Sequence, residues 1–476
     1  MITKPLAIAM CLAVAPAVPA LAQCPVQRLT QPADLTANFG AHATEIEGDH
    51  LIVADGGAYT ACSTPDPIRC SAGAVFAYRR DGDQWAPIQT IVPDDIRIYD
   101  GFGLSLDIDG DRMLVITGGK AFDGNLGYFH EYVFDRSTEQ WVEFSRTSPP
   151  GTDPDATPIG PITFDGSLAL LGQGPLIHRY TQDAEGWVYR DSFESPDGLG
   201  GDSFGQTIML EGEWAFITAW NDDSASPPTQ HGSVYAFRRH ADDTLEFVQK
   251  LLPPGVGDGQ ARKFGINMDF NGETLAVSDP NATIDHRGQG AVYLYEYDGD
   301  QWTLGQTLTH SDAGITTRDR FGLGVSIDGD TLMAGTPFHN HCWCYEFRNY
   351  VFRRGADGTW REVGALTPGD AVPFPWLEED FGWTGDIEGD RVVVAAPGEY
   401  YAMPPFTQTG AVYAFDLGCE ICKPDLDGDG ALTVFDFLTF LNLFDAGSSE
   451  ADFDGDGELT IFDFLAFQGA FDAGCD

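Results

Sequence analysis

"FGLSLDIDGDRMLVIT", Phe102–Thr117, joins a Phe-Gly pair, an acidic turn and an apolar run. The same order recurs along most of the chain. Phe-Gly returns at Phe39-Gly40, Phe204-Gly205, Phe264-Gly265, Phe321-Gly322 and Phe381-Gly382. Each pair is followed by a tight turn ("EGDH", "DGDR", "EGEW", "NGET", "DGDT", "EGDR") and then an apolar run such as "LIVAD" or "RVVVAAP". A second run follows a variable loop: "GAVFAY", "GSVYAF", "GAVYLY", "GAVYAF". The unit closes on a tryptophan strand such as "DQWAPIQTI" or "GTWREVGAL". A degenerate copy, "PIGPITFDGSLALLGQG", has Ile159-Gly160 for Phe-Gly and brings the total to seven.

Asp-Gly and Glu-Gly suit hairpin turns, and each copy reads as four short strands. A four-stranded unit of roughly 40–50 residues, repeated, is the pattern of a propeller blade, because one small sheet cannot bury both of its faces alone. The expected fold is mainly β: a seven-bladed β-propeller. The last copy stops at "GAVYAFDLGCE" without its tryptophan strand, while "CPVQRLTQPAD" near the N-terminus matches the fourth-strand segment "FVQKLLPPG". Val26–Thr30 is therefore expected to complete the last blade and close the ring.

Aspartates alternate in "DIDGDRML" (Asp107–Leu114) and in "DLDGDGAL" (Asp425–Leu432), but only the second completes a calcium loop. Such a loop of twelve residues needs oxygen ligands at positions 1, 3, 5, 7, 9 and 12 and glycine at 6. Counted from Asp107, position 6 is Arg112 and position 12 is Gly118, so the first stretch reads as a hairpin turn. Counted from Asp425, the ligands are Asp425, Asp427, Asp429, the Ala431 carbonyl, Thr433 and Asp436, with Gly430 at the turn. A second loop carries Asp452, Asp454, Asp456, Glu458, Thr460 and Asp463. Two calcium ions are expected there. Short apolar helices follow, "FDFLTFLNLF" and "FDFLAFQGAF". Positions 10 and 11 of the loops, Val434-Phe435 and Ile461-Phe462, form either a docking face or a buried contact between the helices.

The Phe-Gly, turn and "GAVYxF" order resembles the FG-GAP repeat of integrin-alpha-like propellers, over about residues 25–418. The duplicated loop-helix of residues 422–476 resembles a type I dockerin of the variant that ends in Gly-Cys. That likeness implies a small α-helical, EF-hand-like module that folds around calcium and docks onto a cohesin-like or surface-anchoring partner.

"MITKPLAIAMCLAVAPAVPALAQC" has a lysine, an apolar run and the small-x-small signal Ala20-Leu21-Ala22, the pattern of a secretory signal peptide cleaved after Ala22. The expected division is 1–22 signal peptide, 23–420 propeller and 421–476 calcium-binding tail. No other apolar stretch is long enough to span a bilayer, so a secreted or cell-surface protein is expected. An oxidising compartment makes disulfides the default. Cys24 with Cys419, Cys62 with Cys70, and Cys422 with Cys475 are candidate pairs. Within "PFHNHCWCYEF", Cys342 and Cys344 suit an oxidised pair or a packed loop, or with His339 and His341 a copper or zinc site.

The formal net charge of -47 disfavours nucleic acid and anionic membranes as partners. The variable loops gather aromatics on one face of the ring: Tyr59, Trp220, Trp343, Tyr345, Tyr400, Tyr401 and Phe406, beside Asp222, Asp223, Asp279 and Asp285. A glycan or protein ligand is the expectation for that face, against the alternative that these side chains pack their own loops. No HExxH, GxSxG or phosphate loop occurs. The favoured function is an exported binding or adhesion protein tethered through its tail. The alternative is an extracellular polysaccharide-degrading enzyme gathered into a complex by the tail.

Overall fold

The computed structural model describes residues 27–30, 39–40, 42–61, 69–82, 84–96, 100–118, 127–150, 159–184, 186–198, 203–223, 230–255, 262–284, 288–311, 320–337, 340–341, 344–345, 348–367, 380–397, 410–418, 426, 433–446, 448, 451, 453 and 459–473. Seven four-stranded antiparallel sheets form a seven-bladed β-propeller. Blade 1 comprises Ala43–Glu47, His50–Asp55, Ala74–Asp81 and Gln84–Ile91, from the axis outward, and blades 2 to 6 repeat that order. Blade 7 takes three strands from Gly385–Glu388, Arg391–Ala396 and Ala411–Asp416, and its fourth from Gln27–Leu29. Gln27 faces Ala414, Arg28 faces Tyr413 and Leu29 faces Val412. The first segment of the described chain thus closes the ring, as the missing tryptophan strand implied.

The Phe-Gly pairs are blade-to-blade joints. Their phenylalanines are buried: Phe39, Phe102, Phe204, Phe264, Phe321 and Phe381. Several pack edge-on against an aromatic of the third strand of their own blade, as Phe204 on Tyr235 and Phe264 on Tyr295 do at 5.3 and 6.2 Å. Burying one such ring is worth roughly 2–3 kcal/mol. The glycine that opens "GAVY" has a steric reason. A Cβ on Gly73 would lie 2.1 Å from the carbonyl oxygen of Phe102 in blade 2, and one on Gly410 would lie 2.8 Å from that of Phe39 in blade 1. The turn glycines differ: Gly48, Gly110 and Gly166 have open space but φ of 59°, 61° and 57°. Left-handed backbone, not crowding, selects glycine there.

Beyond the propeller, helices α1 (Val434–Ala446) and α2 (Ile461–Ala473) pack through Phe440 and Phe467, whose rings stack at 4.4 Å. Among the described residues no helix is long and apolar enough to cross a membrane.

Candidate functional site

Three regions hold the residues to which sequence reasoning assigned chemistry. The first is the axis. The first two acids of "DIDGD", Asp107 and Asp109, lie on the innermost strand of blade 2, Phe102–Asp109, and Asp111 lies in the turn that follows. Asp107 Oδ2 accepts a hydrogen bond from the backbone N–H of Phe164 in blade 3 at 2.7 Å. Asp269 Oδ2 does the same for Ile327 of blade 6 at 2.7 Å, and Asp386 Oδ2 for Ile46 of blade 1 at 2.8 Å. Nearer the hairpin turns lies a second tier, on the innermost strands of blades 2, 3, 6 and 7. Asp109 accepts from Gly166, Asp165 from Gly212, Asp328 from Gly389 and Glu388 from Gly48, at 2.6–2.9 Å. Every one of these bonds crosses from one blade to the next. The "DIDGD" turn is indeed a hairpin, with Asp109 opposite Arg112, but its acids also join blades.

Burial is the main cause of the titration behaviour here. It raises the Asp107 carboxyl to about 7 and, with the Asp269 charge beside it, Asp386 to about 7. Glu45 is pushed well up by burial and then by Asp107, Asp386 and Asp269, and its buried Oε2 takes no hydrogen bond among the described residues. Carboxylates that feel one another around an axis cannot all ionise cheaply. Among the described residues no three His, Cys, Asp or Glu side chains are gathered as a metal site.

The second region is the variable-loop face between blades 4 and 5. Trp220 is half-buried there, with the Lys263 ammonium 4.3 Å from its ring centroid. That lysine also donates to Asn221 Oδ1 at 2.6 Å. Asp222 is fully buried, and Lys250 Nζ lies 2.6 Å from both Asp222 Oδ2 and Asp197 Oδ2. Burial lowers the Lys250 ammonium, but these two carboxylates outweigh it and hold the group above its ordinary value. Asp279 is buried and accepts from the Lys263 N–H at 3.0 Å. One face of Trp220 is therefore taken by a lysine, while Asp222 pairs with Lys250 of the outer strand Leu245–Leu251 and Asp279 lies 3.7 Å from the Arg262 guanidinium. Tyr59 and Tyr345 lie in short loop strands, Tyr59–Ala61 and Cys344–Tyr345. Trp343, Tyr400, Tyr401, Phe406 and Asp285 lie outside the described residues.

A further polar row on the same face was not anticipated. Thr117 Oγ1 lies 2.7 Å from His130 Nε2, and His130 Nδ1 lies 2.9 Å from Glu143 Oε1. Burial lowers His130 to about 4. With the imidazole fully enclosed and Thr117 buried, the row joins three strands of blade 2 and leaves no room for a substrate.

The third region is the tail. Thr433 and Thr460 cap the two helices. Each hydroxyl accepts from the N–H two residues on, Phe435 or Phe462, at 3.1 Å. Asp436 and Asp463, both fully buried, accept from the Thr433 and Thr460 N–H groups at 2.7 Å. This reciprocal arrangement is a capping box with Asp in place of Glu. Asp463 Oδ1 also accepts from Phe453 in the second loop at 2.9 Å. Positions 10 and 11 are exposed: Val434 and Phe435 by 63% and 62%, and Ile461 and Phe462 each by 63%. They are not buried between the helices, whose contact uses Phe440 and Phe467 instead. Asp425, Asp427, Asp429, Ala431, Asp452, Asp454, Asp456 and Glu458 lie outside the described residues, as do residues 1–22 and Cys24, Cys62, Cys342, Cys419, Cys422 and Cys475. Of Cys70, His341 and Cys344 only the strand backbone is described, and His339 lies outside.

No protein-family model matches the chain, and no curated protein matches it in sequence. Solved structures with a similar outline include a putative 6-phosphogluconolactonase from Bacteroides fragilis, at 14% identity and a TM-score of 0.45, covering 69% of this chain and 84% of that one. Another is the periplasmic gluconolactonase of Pseudomonas aeruginosa, at 13% identity and a TM-score of 0.41, covering 67% and 82%. A third is the β-propeller domain of the trilobed protease from Pyrococcus furiosus, at 11% identity and a TM-score of 0.43, covering 80% and 96%. Likenesses this distant carry no activity across; the ring rests on its own strand pairing.

Proposed function

We propose that this chain is an exported binding protein: an FG-GAP-type propeller that presents a ligand-binding face, tethered through a calcium-dependent, dockerin-like tail. One observation carries the tethering half. Two helices begin with the same exposed apolar pair, Val434-Phe435 and Ile461-Phe462, and each continues the face one turn on with Leu438 or Leu465, 48% and 54% exposed. A duplicated apolar face on so small a module is the mark of an interaction surface. A cohesin-like or surface-anchoring protein is the partner this reading implies.

The chemistry of the donor set suits calcium. Asp425, Asp427, Asp429, Ala431, Thr433 and Asp436 would hold one ion, and Asp452, Asp454, Asp456, Glu458, Thr460 and Asp463 the other. Hard oxygen ligands in this order match the ion's preference. Asp436 and Asp463, at position 12 of the two loops, are both buried, and a carboxylate is a hard oxygen donor of the kind calcium takes. When bound, calcium would supply folding energy to a module with a very small core.

The test is calorimetric titration of the mature chain with calcium, followed by capture of the partner with calcium and with chelator. Two sites are expected, both lost in Asp425→Ala with Asp452→Ala, and capture is expected to fail with chelator. Two ions bound by the double variant would overturn the ligand assignment. Turnover of a polysaccharide by the isolated chain would replace the binding reading with the enzyme reading.

A further inference from the structure

A pocket of about 310 Å³ opens on the turn face of the ring, at the meeting of blades 1, 2 and 7. This is the opposite end of the ring from the variable loops, because the turn between first and second strands and the loop between second and third leave a blade at opposite ends. The pocket borders the hairpin turns of the axial strands, sharing Gly48 and Asp111 with them, and lies apart from the loop face and the tail. Its walls alternate charge: Glu47, Asp49 and Asp111 against Arg79, Arg136 and Arg391. The charges balance, three against three, in a chain whose net charge is -47.

The guanidiniums are held in place from outside the cavity or along its rim. Arg79 pairs with Glu139 at 2.6 Å, Arg136 with Asp111 at 2.7 Å, and Arg391 donates to the Gly48 carbonyl and pairs with Glu388. A planar guanidinium has five N–H donors, so each pairing leaves donors over. The Asp49 side chain is exposed and takes no hydrogen bond among the described residues. Phe134 and His50 line the pocket as well. His50 is 7% exposed, with its ring 4.4 Å from that of Phe134. Burial lowers the imidazole, which keeps it neutral near pH 7.

A wall of fixed acceptors and fixed donors, close together and balanced in charge, matches a ligand whose neighbouring groups both donate and accept. Vicinal hydroxyls do this. An anion would sit among three carboxylates in a strongly negative chain, and a cation would face three guanidiniums; an uncharged polyol meets neither penalty. The volume lies at the small end of ligand pockets, about 300–1,000 Å³, and suits one ring instead of a chain. We infer that this pocket binds a single uncharged sugar residue, with Asp49 and Asp111 accepting from its hydroxyls and Arg136 donating to them.

The experiment is calorimetry and saturation-transfer NMR on the full mature chain. The probes are the methyl glycosides of glucose, galactose and mannose, with glucuronate and glucosamine as charged counterparts. At least one neutral glycoside is expected to bind saturably and more tightly than its charged counterpart. Asp49→Ala with Arg136→Ala is expected to weaken it by about tenfold or more, with the melting curve lowered only by the loss of the exposed Arg136–Asp111 pair. Trp220→Ala, on the other face, is expected to leave it unchanged, so this site and the loop-face reading fail separately. No saturable binding of any neutral glycoside, tighter binding of a charged one, or full binding by the double variant would each overturn the assignment.

Discussion

Gln27 and Trp85 exchange two hydrogen bonds across the seam where the ring closes: Gln27 Nε2 donates to the Trp85 carbonyl at 2.8 Å, and the Trp85 N–H donates to Gln27 Oε1 at 2.6 Å. The same amide clamp joins Gln89 to Trp141, Gln249 to Trp302 and Gln306 to Trp360. Each glutamine lies on the outer strand of one blade and each tryptophan on the outer strand of the next. Gln27→Ala leaves a half-buried N–H and C=O without their partners, and a loss of about 1–3 kcal/mol is expected. Gln249→Ala, in a covalently continuous part of the ring, is expected to cost a similar amount. Chemical denaturation of the two variants checks this; a silent Gln27→Ala would show that the seam is held by strand pairing alone.

The two kinds of glycine in the repeat should respond differently to alanine. Gly73→Ala places a methyl against the backbone of the next blade, 2.1 Å from the Phe102 carbonyl oxygen. It should cost more than about 3 kcal/mol, because neither side of the contact is a flexible side chain. Gly48→Ala meets nothing within 4 Å and suffers only its φ of 59°, a cost of about 1–2 kcal/mol. Gly73 also has φ of 95°, so the excess loss of melting temperature in Gly73→Ala over Gly48→Ala reports the steric requirement.

Acidification should at first stabilise the propeller. Asp107 and Asp386 titrate near 7 in the folded ring, above the ordinary 3.8. A carboxyl raised by folding contributes stability that is fully present below its unfolded value and is lost as pH rises through the folded value. The melting temperature is therefore expected to be higher at pH 5 than at pH 8, by roughly 1 °C for each kcal/mol of linkage in a ring of this size. Below about pH 4 the trend reverses, since Asp95, Asp111 and Asp191 are held low by hydrogen bonds from arginines and lose those bonds on protonation. Asp107→Asn with Asp386→Asn should flatten the slope between pH 5 and 8; an unchanged slope would assign it to other groups.

In the tail, Asp436 closes the cap on α1 by accepting from Thr433. Asp436→Ala with chelator present is expected to cost that helix about 1–2 kcal/mol. Faster hydrogen exchange at 433–446 than at 460–473 would report it without reference to calcium. Equal exchange in the two helices would show that the cap adds nothing without the ion.

The blade order and the closing strand were legible in the amino-acid sequence because both are local patterns. Phe-Gly, the acidic turn, "GAVY" and the tryptophan strand each mark one strand or turn, and the period repeats them. "VQRL" could be matched to "FVQKL" for the same reason. What Asp107 and Asp109 do was not legible. Their partners, Phe164 and Gly166, are 57 residues away and are backbone N–H groups, which every sequence has. The glutamine of the clamp escaped notice likewise, although it recurs in four outer strands, because its partner is main chain 52–58 residues distant. Burial of the Val434-Phe435 and Ile461-Phe462 pairs between the helices was one of two readings in sequence, and only the packing of Phe440 on Phe467 removed it. By itself, then, the sequence determined which segments are strands and how many blades they build, since hydrophobic period and turn chemistry act over a few residues. Which acids join blades, where charges balance into a pocket and which apolar groups stay in water were decided only by the tertiary structure, because ring closure brings together groups that the chain keeps far apart.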